Sequence, residues 1–166
     1  MKLETERLEL ALLDARQLRQ WTEDMPGLER ELDCAYQAEP MDDWFRRIIR
    51  GQAEKVEQNP ENLCWLSFWL LIRKEDRTVV GSADFKNVPN ERGEVEIGYG
   101  LGKSFEHNGY MTETVRAMTD WALAREGVVR VTAQTEKDGY ASQRVLTRCG
   151  FQKDREADTL WWRFPA

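Results

Sequence analysis

The sequence predicts a mixed α/β fold in which one largely antiparallel sheet of about six to seven strands is flanked by helices. The order of predicted elements leads to this fold: a strand, two helices, three strands in quick succession, and then strand and helix in alternation. The length of 166 residues is ordinary for one domain, and no repeat or low-complexity linker divides the chain. We therefore expect residues 1–166 to form a single domain.

The N-terminal third is predicted to be mostly helical after one opening strand. Residues 7–13 alternate in polarity, as strands do, and Asp14 is a typical cap for the helix that follows. Pro26 and Gly27 interrupt that helix, and residues 28–57 form a second, strongly charged helical segment. The positions of this segment that we expect to face the core are Trp44, Phe45, Ile48 and Ile49.

Three strand candidates follow in quick succession. They are residues 63–74 (LCWLSFWLLIRK), 78–87 (TVVGSADFKN) and 94–101 (EVEIGYGL). The short polar stretches KEDR and PNERG join them, so the pattern predicts an antiparallel meander. The apolar run 63–72 is about half as long as a membrane span must be, and we interpret it as a buried strand.

The C-terminal part is predicted to alternate between helix and strand. A helix at about 109–125 is followed by a strand at 128–134, a short helix at 140–151 and a final strand at 158–164. Gly150 is a typical left-handed stop for the second of these helices. The buried face of the first helix is expected to carry Met111, Val115, Met118 and Ala122.

Composition excludes several classes of function. The net charge is −6 and no lysine- or arginine-rich run is present, which disfavours nucleic acid as a partner. Cys34, Cys64 and Cys149 are widely spaced, a pattern that fits a reducing compartment better than a disulfide framework or a metal site. The N-terminus is charged from its second residue and has no apolar signal core. We expect a cytoplasmic protein with no metal and no membrane association.

The strand 94–101 separates two kinds of side chain by its period of two. Val95, Ile97 and Tyr99 face one side. The other side carries two carboxylates followed by two glycines, which are Glu94, Glu96, Gly98 and Gly100. Glycines on one face allow close approach of a ligand, and paired carboxylates suit a general base. A solvent-exposed strand face with two surface glutamates is the alternative interpretation.

The stretch SFEHNGYMTETVRA (104–117) predicts a loop that leads into a helix. Gly109 opens the helix, and the first backbone amides, at about 108–111, have no intrahelical acceptors. Such amides bind phosphate well, because the helix dipole favours a negative charge there. An ordinary helix N-terminus without a ligand is the alternative, since one glycine is weak support on its own.

Taken together, EVEIGYGL, HNGYMTETVRAM and YASQRVLTRCGF resemble the GNAT acyltransferases, in particular the branch of ribosomal-protein N-terminal acetyltransferases. The opening LETERLELALLDARQL is similar to the start of the same branch, so the resemblance covers essentially the whole chain. It implies a GNAT-like fold that binds acetyl-CoA, with the pyrophosphate on the loop and the pantetheine arm between two splayed strands. The residues it implies for cofactor binding are Tyr99, Gly100, Leu101, Asn108, Gly109, Tyr110, Met111, Thr112, Tyr140 and Ser142.

Two positions depart from the family pattern. Glu106 stands where the loop usually begins with a cation or an amide, and Gly139 stands where an asparagine is common. A unit charge about 4 Å from another contributes roughly 1 kcal/mol in water and several-fold more when partly buried. We therefore expect Glu106 to weaken CoA binding by about tenfold without abolishing it. Lys103, Asn108 and Arg144 are candidates to offset its charge.

The resemblance also implies catalytic roles. Glu96 is the first candidate for the general base and Glu94 the second, while the backbone amide of Tyr99 is a candidate for stabilising the developing oxyanion. Ser142 is the candidate donor to the departing thiolate, with Tyr140 as the local alternative. A structural role for Ser142 in capping the helix is the other interpretation.

The predicted function is transfer of an acetyl group from acetyl-CoA to a primary amine, either a protein N-terminus or a small molecule. The alternative is a degenerate acyl-CoA-binding or regulatory module without catalysis, suggested by Glu106 and Gly139. His107 is the sole histidine and no nucleophile elbow is present, so hydrolase chemistry finds little support. Both a monomer and a homodimer remain open.

Overall fold

The computed structural model describes residues 1–165, and within them it contains one mixed sheet of nine strands flanked by helices. The strands are β1 (Lys2–Glu4), β2 (Leu8–Leu12), β3 (Ala35–Tyr36), β4 (Phe68–Arg73), β5 (Thr78–Phe85), β6 (Glu94–Leu101), β7 (Arg130–Thr135), β8 (Gln152–Glu156) and β9 (Leu160–Phe164). The helices are α1 (Ala15–Glu23), α2 (Met25–Leu32), α3 (Asp43–Gln58), α4 (Leu63–Leu66), α5 (Tyr110–Leu123) and α6 (Tyr140–Arg148).

The sheet runs in the order β1-β2-β4-β5-β6-β7-β9-β8, with β3 added beside β5. Neighbouring strands are antiparallel except for the pairs β6–β7 and β3–β5. The predicted mixed, largely antiparallel sheet and its central β4-β5-β6 meander are therefore confirmed. The predicted number of strands was too low. The three missed strands have only two or three residues (β3, β1) or a fully exposed, charged sequence (β8), so they give no periodic apolar signal.

The prediction of one strand from residue 63 onward was wrong at its start. Leu63–Leu66 forms the single helical turn α4, and the strand begins only at Phe68. Pro60 starts a 3-10 turn just before, and Ser67 donates its hydroxyl hydrogen to the carbonyl of Leu13, which fixes the turn into the strand. A short continuous apolar run does not distinguish a buried helical turn from a buried strand.

The segment 28–57 is also divided more finely than predicted. Pro26 lies in the first turn of α2 rather than in a gap, and Asp33 ends that helix in the left-handed region at φ 51°. In the expected apolar stripe Ile49 is fully buried, but Trp44 is 66% exposed. The expected stripe of α5 is confirmed, because its four residues are all buried.

The core lies on both faces of the sheet. Alternate residues of β4 point in opposite directions, so that Trp69 and Leu71 pack beneath α5 and α6 while Leu70 and Ile72 pack beneath α1 to α3. The stop at Gly150 is as predicted, with φ 87°, and the buried Phe151 donates its amide hydrogen back to the carbonyl of Leu146. Helices therefore cover the sheet from both sides.

The parallel pair β6–β7 creates the opening that matters for function. These two strands pair only over Glu94–Glu96 and Arg130–Thr132, and they separate beyond that point. Both strands lead into helices, β6 into α5 and β7 into α6, so the two helix N-termini lie at the same edge of the sheet. Crevices at the carboxyl ends of parallel strands are common ligand sites.

Candidate active site

A cleft of about 260 Å³ lies between the C-terminal half of β6 and the first turns of α5 and α6. Most of the residues predicted to bind a cofactor line it, namely Tyr99, Gly100, Leu101, Gly109, Tyr110, Met111, Thr112 and Ser142. Asn108 and Tyr140 are not among its lining residues. The Asn108 side chain donates to the carbonyls of Phe105 and Glu106 and so shapes the loop, and Tyr140 is 62% exposed.

The loop before α5 has the geometry of an anion cradle. Gly109 is the N-cap and takes φ 80°, a left-handed conformation that glycine adopts without strain. The amides of the first helical residues, Tyr110, Met111 and Thr112, have no intrahelical acceptors and lie at the cleft. A helix of 14 residues behind them adds its dipole, so this end of the cleft favours a negatively charged group.

Positively charged side chains share the cleft with Glu106. Arg144 and Arg148 of α6 line the same cleft, and the sequence-based prediction included only the first of them. Arg7 lies just before β2, and its guanidinium carbon is 4.5 Å from the ring centroid of Tyr110. Three arginines therefore lie close to the cleft or its loop, in which a glutamate stands at the position where the family usually has a cation or an amide.

Arg7 is held in place by a hydrogen-bonded cluster with Glu113 of α5. The carboxylate of Glu113 accepts hydrogen bonds from the hydroxyl of Thr5 (2.6 Å), the amide of Arg7 (2.9 Å) and its Nε (2.6 Å). Burial raises the pKa of Glu113, but these hydrogen bonds outweigh burial and leave the pKa below its usual value. The cluster therefore connects the residues just before β2 to the first turn of α5.

Replacing Glu113 by Gln is expected to lower the free energy of unfolding at neutral pH by about 1–3 kcal/mol, because hydrogen bonds to a charged group are lost. A depressed carboxyl pKa contributes stability above the unfolded-state pKa and loses it as the pH falls through the folded-state pKa. The difference between the two proteins should therefore shrink below about pH 4. Urea unfolding at several pH values measures it. Glu6→Gln is the matched control, because Glu6 is exposed and lies between Thr5 and Arg7. This substitution should change the free energy of unfolding little.

A second cavity of about 420 Å³ fills the gap where β6 and β7 separate. Glu96, Gly98, Gln134 and Ser142 are among its lining residues, and it shares Tyr99 and Ser142 with the first cleft. The Tyr99 and Ser142 hydroxyl oxygens are 2.8 Å apart. This hydroxyl pair therefore stands at the junction of the two cavities.

Ser142 does not cap helix α6, which was one of its two possible roles. The N-cap of α6 is Gly139, and the Ser142 hydroxyl bonds across to Tyr99 rather than capping the helix. Burial raises the pKa of Tyr99 to about 12, although its hydrogen bond with Ser142 acts in the opposite direction. Tyr99 therefore keeps its proton at neutral pH. One of the two hydroxyl hydrogens is used between the two residues, so the pair has one hydrogen left to donate into the gap.

The two glutamates of β6 have different surroundings. Glu96 faces the gap, and its Oε2 accepts a hydrogen bond from Gln134 Nε2 at 3.0 Å. Glu94 instead forms an ion pair with Arg130, at 3.3 Å from its Nη1. Both line a further cleft of about 680 Å³, but only Glu96 reaches the cavity at the Tyr99–Ser142 pair. Of the two candidate bases, Glu96 therefore lies at the cavity with the hydroxyl pair and Glu94 does not.

Sequence reasoning missed two polar residues on the same face of the sheet. Asp84 pairs with Gly98 in the ladder, and Lys86 donates its amide hydrogen to the carbonyl of Glu96 at 2.8 Å. Burial raises the pKa of Asp84, and the nearby Glu96 adds to this while Lys86 opposes it. The period of two in TVVGSADFKN was the available signal, because residues opposite each other in a ladder share a face.

Other sites give weaker signals in the described part of the chain. Among residues 1–165, no group of three or more His, Cys, Asp or Glu side chains is arranged to hold a metal ion. None of the helices in that range is long and apolar enough to cross a bilayer. Burial raises the pKa of Cys149, whose thiol contacts the Thr112 carbonyl at 3.5 Å, so this cysteine is not an activated nucleophile.

Comparison with known proteins identifies the class of this fold and site. The family model described as an acetyltransferase (GNAT) domain matches residues 6–152. The chain belongs to the GNAT acetyltransferase family, as the resemblance in the sequence predicted.

Individual relatives agree with this assignment. The chain is 33% identical over 153 residues to the Uncharacterized N-acetyltransferase YjdG of Bacillus subtilis, covering 86% of this chain and 90% of that protein. Its fold is similar to that of a ribosomal-protein-S5-alanine acetyltransferase from Vibrio fischeri, with a TM-score of 0.72, 15% identity, and coverage of 98% and 95% of the two chains. It is also similar to RimL, a ribosomal L7/L12 alpha-N-protein acetyltransferase in complex with coenzyme A, with a TM-score of 0.69, 17% identity, and coverage of 98% and 97%.

Proposed function

We propose that this protein is an acetyl-CoA-dependent N-acetyltransferase that acts on a primary amine. One observation carries the proposal: the loop-lined cleft and the gap beside Glu96 meet at the Tyr99–Ser142 hydroxyl pair. A long cofactor that lies in the first cleft and extends past the hydroxyl pair would thus enter the cavity that Glu96 lines. The cytoplasm is the expected compartment.

The residues present fit acetyl-CoA in their chemistry. Free amides at the start of α5, together with Arg7, Arg144 and Arg148, provide donors and positive charge for phosphates. The separated strands β6 and β7 leave backbone groups unpaired, which is where an amide-containing arm can add like a strand. The solved structure of RimL, which has a similar fold, is a complex with coenzyme A.

When bound, acetyl-CoA supplies a thioester carbonyl as the electrophile. Glu96 removes a proton from the acceptor ammonium, because only the neutral amine has a lone pair with which to attack. Gln134 holds the Glu96 carboxylate by its hydrogen bond and so orients it towards the gap. Ser142, supported by Tyr99, donates a hydrogen to the departing thiolate, and the backbone amide of Tyr99 is the candidate donor to the developing oxyanion.

The acceptor is proposed to be either a protein N-terminus or a small-molecule amine that approaches from the Glu96 side. A cleft of about 240 Å³ on this side is lined by Tyr36 and Glu39, which lie between α2 and α3, by the exposed Trp44 of α3 and by Gly100 of β6. Acidic side chains in such a wall favour a cationic acceptor. The helices 28–57 therefore wall the acceptor site in this proposal.

Acetyl-CoA titration by calorimetry, followed by a screen of amine acceptors for CoA release, tests the proposal. Micromolar binding that weakens with salt, and turnover with at least one amine, are the expected results. Absence of heat and of a thermal shift at millimolar acetyl-CoA would exclude the proposed function. Binding without turnover on peptides, amino sugars or polyamines would favour the alternative, an acyl-CoA-binding module without catalysis.

A further inference from the structure

Lys86 places a primary amine of the protein inside the candidate active site. A Cβ atom built on Gly98 would lie 2.6 Å from Lys86 Cε and 2.7 Å from Lys86 Nζ, so the lysine side chain occupies the space above that glycine. Lys86 follows β5 directly opposite Glu96, to whose carbonyl its amide is bonded. The side chain therefore leans across β6 at the point where β6 and β7 separate.

The surroundings of this amine are those that the acceptor amine of the proposed reaction needs. Lys86, Glu96 and Ser142 line the same cavity, which joins the cofactor cleft. The carboxylate of Asp84 is 4.0 Å from Lys86 Nζ and accounts for the position of the ammonium in the free protein. The Lys86 side chain is 52% exposed, so it is not confined in a tightly packed ion pair.

We propose that Lys86 is a site of self-acetylation within the same molecule, an inference that rests on the proposed function. Glu96 takes a proton from the Lys86 ammonium, and the neutral Nζ attacks the thioester carbonyl of acetyl-CoA. A C–N bond forms and the C–S bond breaks, the nitrogen gives up its second proton, and the departing CoA thiolate takes up that proton and leaves as the thiol. The products are Nε-acetyl-Lys86 and CoA, and no oxidant or further reactant is needed.

Mass spectrometry of the whole protein incubated with isotope-labelled acetyl-CoA, without an acceptor, tests this. We expect one labelled acetyl group on Lys86, added at least about tenfold faster than on the exposed Lys103 and Lys137, since an oriented intramolecular amine has a high effective concentration. The rate constant should not change when the protein is diluted. Unlabelled acetyl on Lys86 in the protein as isolated, absent from Glu96→Gln, would also support the proposal.

Two variants separate directed acetylation from simple lysine reactivity. Glu96→Gln should slow labelling of Lys86 to the rate of Lys103 without slowing Lys103 itself. Gly98→Ala should lower labelling of Lys86 to the same background, because its Cβ would lie 2.6 Å from Lys86 Cε and 2.9 Å from Asp84 Oδ1 and would displace the flexible end of the lysine. Circular dichroism and acetyl-CoA titration on each variant establish that it is folded and binds the co-substrate.

Equal labelling of Lys86 and the exposed lysines, or a rate that rises with protein concentration, would overturn the inference. The amine screen and the calorimetric titration are carried out on the same preparation. They distinguish failure of the self-acetylation inference from failure of the proposed function. If acetyl-CoA binds and external amines are acetylated while Lys86 stays unlabelled, the inference alone is wrong. If acetyl-CoA neither binds nor reacts, the proposed function fails and the inference fails with it.

Discussion

Replacing Glu96 by Gln is expected to lower kcat for an amine acceptor by about 10²–10⁴-fold, the usual contribution of a positioned general base. The isosteric amide keeps the shape of the side chain but cannot accept the proton of the acceptor ammonium. Affinity for acetyl-CoA should be unchanged, since Glu96 lines the gap and not the cofactor cleft. Steady-state kinetics across a range of pH, together with calorimetry, measure both effects.

Glu94→Gln is the matched control on the same strand. Glu94 is paired with Arg130 and does not line the cavity at the Tyr99–Ser142 pair, so the amide there should change kcat far less. A larger loss in Glu94→Gln than in Glu96→Gln would reverse the assignment of the base. Activity of Glu96→Gln that regains the wild-type rate at high pH would still fit the assignment, because the acceptor is then already neutral.

The alternation on β6 was predictable because it depends on a local rule. Strand geometry places Glu96 and Gly98 on one face whatever the rest of the chain does, and the structure keeps that division. Asp84 on β5 and Lys86 just after it obey the same rule, yet their importance depends on the register of β5 against β6. Only the pairing of Asp84 with Gly98 shows that the space above a glycine of one strand is filled by a side chain from another.

The cluster around Glu113 was not predictable from spacing. Its partners Thr5 and Arg7 lie more than a hundred residues away, and nothing in the local pattern links them. The resemblance of the opening LETERLEL to the family did mark this stretch, without giving its role. The contacts supply that role, because they connect β2 to the helix whose first amides form the anion cradle.

Other residues near the cleft supply positive charge despite the glutamate at position 106. A glutamate at position 106 does not leave the cleft without positive charge, because Arg144 and Arg148 of α6 line it and Arg7, just before β2, lies over the ring of Tyr110. These residues are distant in sequence, so reading the loop alone exaggerates the loss. In the proposed function, these arginines hold the phosphates in place of the residue that is common at position 106 in the family pattern.

Arg144→Ala and Arg148→Ala are each expected to weaken acetyl-CoA binding by about tenfold or more, because charge-assisted hydrogen bonds are worth about 1.5–3 kcal/mol. The salt dependence of binding should also become shallower, since fewer charges are engaged. Calorimetric titrations at two ionic strengths measure both quantities.

Glu106→Gln is expected to change the affinity for acetyl-CoA in the direction opposite to that of the two arginine substitutions. It removes one negative charge from the same cleft without changing the size of the side chain, so acetyl-CoA should bind about tenfold more tightly. If all three substitutions change the affinity for acetyl-CoA in the same direction, the effect does not come from charge. The side chains would then act only by shaping the loop. Opposite shifts of similar size would instead place the phosphates of the co-substrate between α6 and the residues that follow Glu106, where the amides of α5 begin.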